Sequence, residues 1–162
     1  MAFIKNTTCE KITNEIPIVD RWIGKPMMIH TAAADIKRDN THTDNHERYH
    51  VENLGWDHIG YMFSIETDGT IYFSRPTADK QYHCIGNGQN HKSFGICICG
   101  CGTKNSLTEE QYQSLLKIIK VYQVRTILVH RDFPYKGKTK SCPGDVLLAD
   151  ITKRFSALVH RV

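Results

Sequence analysis

The stretch Ile127-Leu128-Val129-His130-Arg131-Asp132 constrains this chain more than any other. Its apolar run from Thr126 to Val129 reads as a buried strand. The run ends on His130 and feeds a loop rich in Gly, Pro and Lys that delivers Cys142 twelve positions later. Loops held by a rigid sheet carry chemistry. A histidine and a cysteine placed this way are either two zinc ligands or a nucleophile and its base.

A second run, Pro26 to Thr31, reads as a strand and also reaches a histidine, His30. With Cys142 this makes a set of three, His30, His130 and Cys142, and catalytic zinc sites keep three protein ligands with the fourth position for water. Between and around these strands the chain alternates. Residues 1–25 are mixed and polar, with an apolar patch at Ile16 to Val19, and are expected to lie across the domain. Ala32 to Thr43 reads as a loop. Thr43 or Asp44 can cap a short helix from Asn45 to about Asn53, stopped by Gly55.

Tyr61 to Ile65 and Thr70 to Phe73 flank Asp68-Gly69, a hairpin signal. Ala78 to Ser93 reads as a long loop and Phe94 to Cys99 as a buried strand. Thr108-Glu109-Glu110-Gln111 is a capping box. It opens a helix with Tyr112, Leu115, Leu116, Ile119 and Tyr122 at helical spacing. A last helix starts near Asp145 and turns Leu147, Leu148, Ile151 and Phe155 to the core. Strands alternating with helices predict an α/β fold, a single domain with one central mixed sheet flanked by helices and the site in a groove at the strand ends.

Composition excludes several classes. A chain of 162 residues fits one domain with one core. A net charge of +4 suits a polyanionic partner, either nucleic acid or an anionic wall polymer. No Lys/Arg block stands out, so no nucleic-acid partner is expected. No apolar run reaches the roughly 18 residues of a membrane helix, so no membrane insertion is expected. Met1 to Glu10 lacks a signal peptide's apolar core, so synthesis in a cytoplasm is expected. The six cysteines, Cys9, Cys84, Cys97, Cys99, Cys101 and Cys142, should then be reduced.

Five separated motifs carry a family resemblance. Met28-Ile29-His30-Thr31-Ala32, Gly55-Trp56-Asp57-His58-Ile59-Gly60-Tyr61-Met62-Phe63, Thr67-Asp68-Gly69-Thr70, Gly88-Gln89-Asn90-His91-Lys92-Ser93-Phe94-Gly95-Ile96 and Lys140-Ser141-Cys142-Pro143 occur in this order. Together they resemble the zinc N-acetylmuramoyl-L-alanine amidases, the family of the small phage lysozyme-amidases and the peptidoglycan recognition proteins. The similarity runs over residues 26–156, and no separate wall-binding domain is expected beside it.

The resemblance implies one Zn2+ held by His30, His130 and Cys142, with Tyr61 and Lys140 as catalytic groups. It implies cleavage of the amide between N-acetylmuramic acid and L-alanine of peptidoglycan. Lys140 would stabilise the oxyanion. Tyr61 would orient water or pass a proton to the leaving amine. His83, Asn90 and His91 fall on family positions around the groove and are expected to contact muropeptide; loop hydrogen bonding is the plainer role for them. A phage endolysin acting as a monomer on the wall after release fits these expectations. A recycling amidase or an injected effector fits them equally.

Two rival sites stand beside this one. His46-Glu47-Arg48-Tyr49-His50 matches H-E-x-x-H, the pattern of zinc metallopeptidases in which Glu47 would be the base. Its surroundings are polar, which predicts an exposed charged helix at the groove edge. The alternating Cys97, Cys99 and Cys101 share a strand face but lack the paired spacing of a structural zinc site. They read as small buried hydrophobes. A muropeptide-binding module without hydrolysis is the non-enzyme alternative, and retention of Cys142 favours the enzyme.

Overall fold

Alternation of short β-branched runs with amphipathic segments builds a mixed sheet with helices packed on it. The computed structural model describes residues 9–35, 41–74, 81–138 and 140–162. In chain order the elements are β1 (Cys9–Lys11), β2 (Met27–Thr31), α1 (Thr41–Glu47), β3 (Phe63–Ile65), β4 (Ile71–Ser74), α2 (Gln89–Lys92), β5 (Phe94–Ile98), α3 (Glu109–Val121), β6 (Ile127–Val129) and α4 (Asp145–Arg154). The sheet order is β1-β4-β3-β5-β2-β6. The β1–β4 and β4–β3 pairs are antiparallel, and β3–β5, β5–β2 and β2–β6 are parallel. This is the single-domain mixed α/β architecture expected from the sequence.

The four mutually parallel strands, β3, β5, β2 and β6, are buried almost throughout and read as nearly continuous apolar runs. Met27 and Ile29 of β2, Phe94 and Ile96 of β5 and Ile127 of β6 are wholly buried in the main core. α3 closes that core with Leu115, Ile118 and Tyr122, and α4 with Leu147, Ile151 and Phe155. Both capping-box bonds at the start of α3 form, Gln111 N–H to Thr108 Oγ1 and Thr108 N–H to Gln111 Oε1, each 3.1 Å. Gln111 also donates through Nε2 to the carbonyls of Ile65 and Cys99, tying the helix start to the sheet.

The structure corrects four local readings. The N-terminal segment supplies an edge strand, β1, and a 3-10 turn at Asp20–Trp22 whose Trp22 is 1% exposed in the core. A lone tryptophan in a polar run carries no periodicity to reveal this. The stretch read as a loop up to Thr43 ends earlier, because α1 begins at Thr41; residues 36–40 lie outside the described set. The helix expected to be exposed is so on one face only: Asn45, Arg48, Tyr49 and Glu52 are exposed, whereas His42, Thr43, Glu47 and His50 are buried, and it continues as a π-helical turn, Arg48–Asn53. Polar side chains that satisfy one another can be buried as well as apolar ones. Finally, the long loop up to Ser93 contains a 3-10 turn, Gly86–Gly88, and α2, while residues 78–80 lie outside the described set.

Candidate metal centre

Ile29 of β2 lies opposite Val129 of β6 in a parallel pair, so the next residues, His30 and His130, emerge together at one end of the sheet. Their Nδ1 atoms are 3.1 Å apart. Cys142 arrives from the loop before α4, with Sγ 3.9 Å from His30 Nδ1. One donor from each of the three lies within 4.8 Å of the others.

Several contacts hold the cysteine there. Arg131 donates through its backbone N–H to the Cys142 carbonyl at 3.0 Å, and through its guanidinium to Ser141 O at 2.6 Å and Asp145 Oδ1 at 2.7 Å. Thr31 N–H donates to Sγ at 3.3 Å. The following turn presses on Gly102, where any side chain would strike the Pro143 carbonyl.

A hydrogen-bond relay settles which nitrogen of His30 faces the centre. His83 Nε2 lies 2.9 Å from the Ser93 carbonyl, which only accepts, so Nε2 carries the proton and Nδ1 a lone pair. His30 Nε2 lies 2.9 Å from that lone pair and donates to it. The lone pair of His30 Nδ1 is thereby turned toward His130 and Cys142. Such outer partners orient metal-binding imidazoles. Gly95 makes room for the relay: a Cβ there would sit 2.7 Å from Cβ and Cγ of His83.

Burial, with His130 and His83 beside it, holds His30 well below the ordinary imidazole range. Burial lowers His83 to about 4, and burial with the nearby Lys140 charge lowers His130 to about 4. Burial pushes the Cys142 thiol up to about 12. The centre is therefore two neutral imidazoles and a thiol, which a divalent cation would ionise. A thiol in that range is no nucleophile at neutral pH, and this weighs against Cys142 acting with His130 as its base. Tetrahedral zinc spaces N and S donors roughly 3.3–3.7 Å apart, given bonds of about 2.1 and 2.3 Å. The 3.1 and 3.9 Å separations bracket that range, so the residues fit zinc.

The centre opens on a groove of about 660 Å³ lined by Trp56, Tyr82, Asn90, His91, His130, Tyr135 and Lys140, among others. Tyr61 packs its ring 5.0 Å from His30. Burial raises its phenol well above its ordinary value, so it stays protonated at neutral pH. Lys140 is exposed at the groove wall. Of the expected substrate contacts, His91 stands exposed on the wall. Asn90 Oδ1 accepts the Cys84 N–H at 2.7 Å. His83 spends both ring nitrogens on His30 and Ser93, which makes it a positioning residue behind the centre. The clamp formed by Arg131 leaves no signal in the sequence, because it needs the folded position of Ser141 and Asp145.

The H-E-x-x-H residues do not converge. The His46 and His50 rings stack with centroids 6.0 Å apart, and His50 Nδ1 accepts the Gly60 N–H at 3.0 Å. Among the described residues no three-donor group includes His46, Glu47 or His50.

A parallel-sheet end that presents two histidines and a cysteine to an open groove defines a candidate metal-hydrolase site. Residues 24–145 match the N-acetylmuramoyl-L-alanine amidase family, and the chain belongs to it. The human N-acetylmuramoyl-L-alanine amidase is 32% identical over 108 residues, 62% of this chain and 18% of that protein. Drosophila melanogaster peptidoglycan-recognition protein SC2 is 38% identical over 107 residues, 64% of this chain and 57% of that protein. The endolysin of Enterobacteria phage T3 is 30% identical over 107 residues, 60% of this chain and 66% of that protein. The chain thus spans from under a fifth to about two thirds of these relatives' lengths. The fold is that of Apis mellifera PGRP-SA, at a TM-score of 0.72 and 20% identity over 86% of this chain and 87% of that one. The N-acetylmuramoyl-L-alanine amidase LysC of Clostridium intestinale matches at a TM-score of 0.62 and 24% identity, over 90% and 94%.

Proposed function

We propose that this chain is a zinc-dependent peptidoglycan hydrolase that cuts the amide between the lactyl group of N-acetylmuramic acid and L-alanine. The observation that carries the reading is the convergence of His30, His130 and Cys142, with His130 on the groove wall. Zinc held by these three would supply Lewis-acid polarisation of the scissile carbonyl and activation of water. The chain's own residues supply the rest. Ser93 and His83 keep His30 in the tautomer that offers Nδ1 to the metal. The Lys140 ammonium, at the groove wall, stabilises negative charge as the carbonyl carbon becomes tetrahedral. The Tyr61 phenol, protonated at neutral pH, donates its proton to the departing alanine nitrogen.

Muropeptide lies along the groove past His91 and Asn90. PGRP-LE, solved in complex with tracheal cytotoxin, a monomeric diaminopimelic acid-type peptidoglycan, has the same fold at a TM-score of 0.69. Likeness to the phage T3 and T7 endolysins supports a lytic role, with a monomer synthesised in the host cytoplasm and acting on the wall after release.

The test is digestion of purified peptidoglycan, with product ends read by mass spectrometry. Free lactyl ends and new alanine amino termini, both abolished in a folded Cys142→Ala variant, are the expected result. Cuts inside the peptide that depend on Glu47 would overturn the reading in favour of the H-E-x-x-H site. Muropeptide binding without any product would leave a recognition module.

A further inference from the structure

α1 carries histidines four residues apart, His42 and His46, a spacing that stacks them on one helix face. That face packs on the sheet beside Glu66, the residue after β3, and Cys99, the residue after β5. His42, Glu66 and Cys99 are 1%, 0% and 2% exposed. One donor atom from each lies within 4.8 Å of the others. No part of the reaction described above uses them.

The hydrogen bonds around the trio are short of one positive charge. His42 Nε2 lies 2.9 Å from the Asp35 carbonyl, which only accepts, so that nitrogen carries a proton. His42 Nδ1 lies 2.7 Å from Glu66 Oε2. The other carboxylate oxygen, Oε1, accepts the Thr43 N–H and the Thr43 hydroxyl, each at 2.8 Å. A neutral His42 would point a bare lone pair at a carboxylate in a dry interior. At 2.7 Å a proton bridges the pair; a zinc ion held by both groups would take that proton's place and part the two atoms to roughly 3.3 Å.

We propose that His42, Glu66 and Cys99 form a second, buried metal site for a zinc-like divalent cation, separate from the groove. Imidazole, carboxylate and thiolate are zinc's donor types. His42 already has the outer bond, from its remote N–H to a backbone carbonyl, that orients metal-binding histidines. One carboxylate and one thiolate neutralise a divalent ion, the condition for keeping such charge in an apolar interior. The fourth donor is His46, one turn along α1. Its Nδ1 is sealed from water and has no hydrogen-bond partner among the described residues, which leaves it free to serve as that donor. The site staples α1 to the ends of β3 and β5, and so anchors the segment leading to His50 and Trp56.

Metal content and cobalt spectra of the full chain and two cysteine variants decide the matter. Two zinc ions per chain are expected by elemental analysis, falling to one in Cys142→Ala. That variant, loaded with Co2+, should still show a thiolate-to-cobalt charge-transfer band, and the band should vanish in Cys142→Ala/Cys99→Ser. One metal in the wild type and none in Cys142→Ala would overturn the proposal, leaving a buried His42–Glu66 ion pair bridged by a proton. So would a residual metal in Cys142→Ala that gives no band and survives Cys99→Ser. One metal in the wild type, retained in Cys142→Ala with a Cys99-dependent band, would support this site and overturn zinc at the groove.

Discussion

His83 shows how much one side chain decides here. The chemistry calls for His30 Nδ1 as an open lone pair, and a free imidazole places its proton on either nitrogen. The bonds Ser93 O to His83 to His30, each 2.9 Å, remove that freedom. His83→Ala should therefore weaken zinc binding by about 10- to 100-fold while far-ultraviolet circular dichroism stays unchanged. Competition with a chromophoric chelator measures the affinity, and an unchanged value would reduce His83 to a wall residue. Nothing in the residue order reveals this role, since His83 and His30 are brought together only by the fold. Gly95 is part of the same device, and what its missing side chain accommodates is invisible until His83 is seen beside it.

At the scale of elements, the sheet is held at one edge by a segment whose sequence is uninformative. β1 pairs with β4 through Cys9 opposite Ser74 and Lys11 opposite Tyr72. The turn behind it drives Trp22 into the core, 6.4 Å from the Phe94 ring. Trp22→Ala should cost about 3–5 kcal/mol by loss of transfer free energy and the cavity left behind. Denaturant unfolding would measure it. A loss below about 1 kcal/mol would mean that the N-terminal segment packs only loosely. α3 is the opposite case. Its capping box and helical spacing were legible because both depend on neighbours within one turn, and the bonds they predict form.

For the whole molecule, the buried histidines make stability depend on pH. Burial, with a neighbouring histidine in each case, holds His46 and His50 at about 4, below the ordinary 6.5. The unfolded chain takes up protons at these sites near 6.5, whereas the folded chain does so only near 4. Their contribution is therefore complete above pH 6.5 and is lost as the pH falls toward 4. In chelator-treated protein the unfolding free energy should drop between pH 6.5 and 4, by up to about 1 kcal/mol per pH unit for each such group. Zinc should raise the melting temperature at pH 7, because a ligand of the folded state stabilises it by mass action. Flat stability over that pH range would mean that these rings are already protonated in the fold.

The sequence by itself determined the strands that end at His30 and His130, the Asp68-Gly69 hairpin, the α3 cap and the apolar faces of α3 and α4. Each depends on periodicity or turn chemistry within a few residues, which a linear pattern preserves. Tertiary structure alone decided the edge strand β1, the burial of Trp22 and the relay through His83. It also turned the face of α1 bearing His42 inward onto Glu66 and Cys99, where polarity had predicted exposure. Burial of a polar group depends on whether its partners arrive, and those partners lie 24 and 57 positions away in the chain. No local pattern carries that information; packing β3 and β5 beside the helix supplies it.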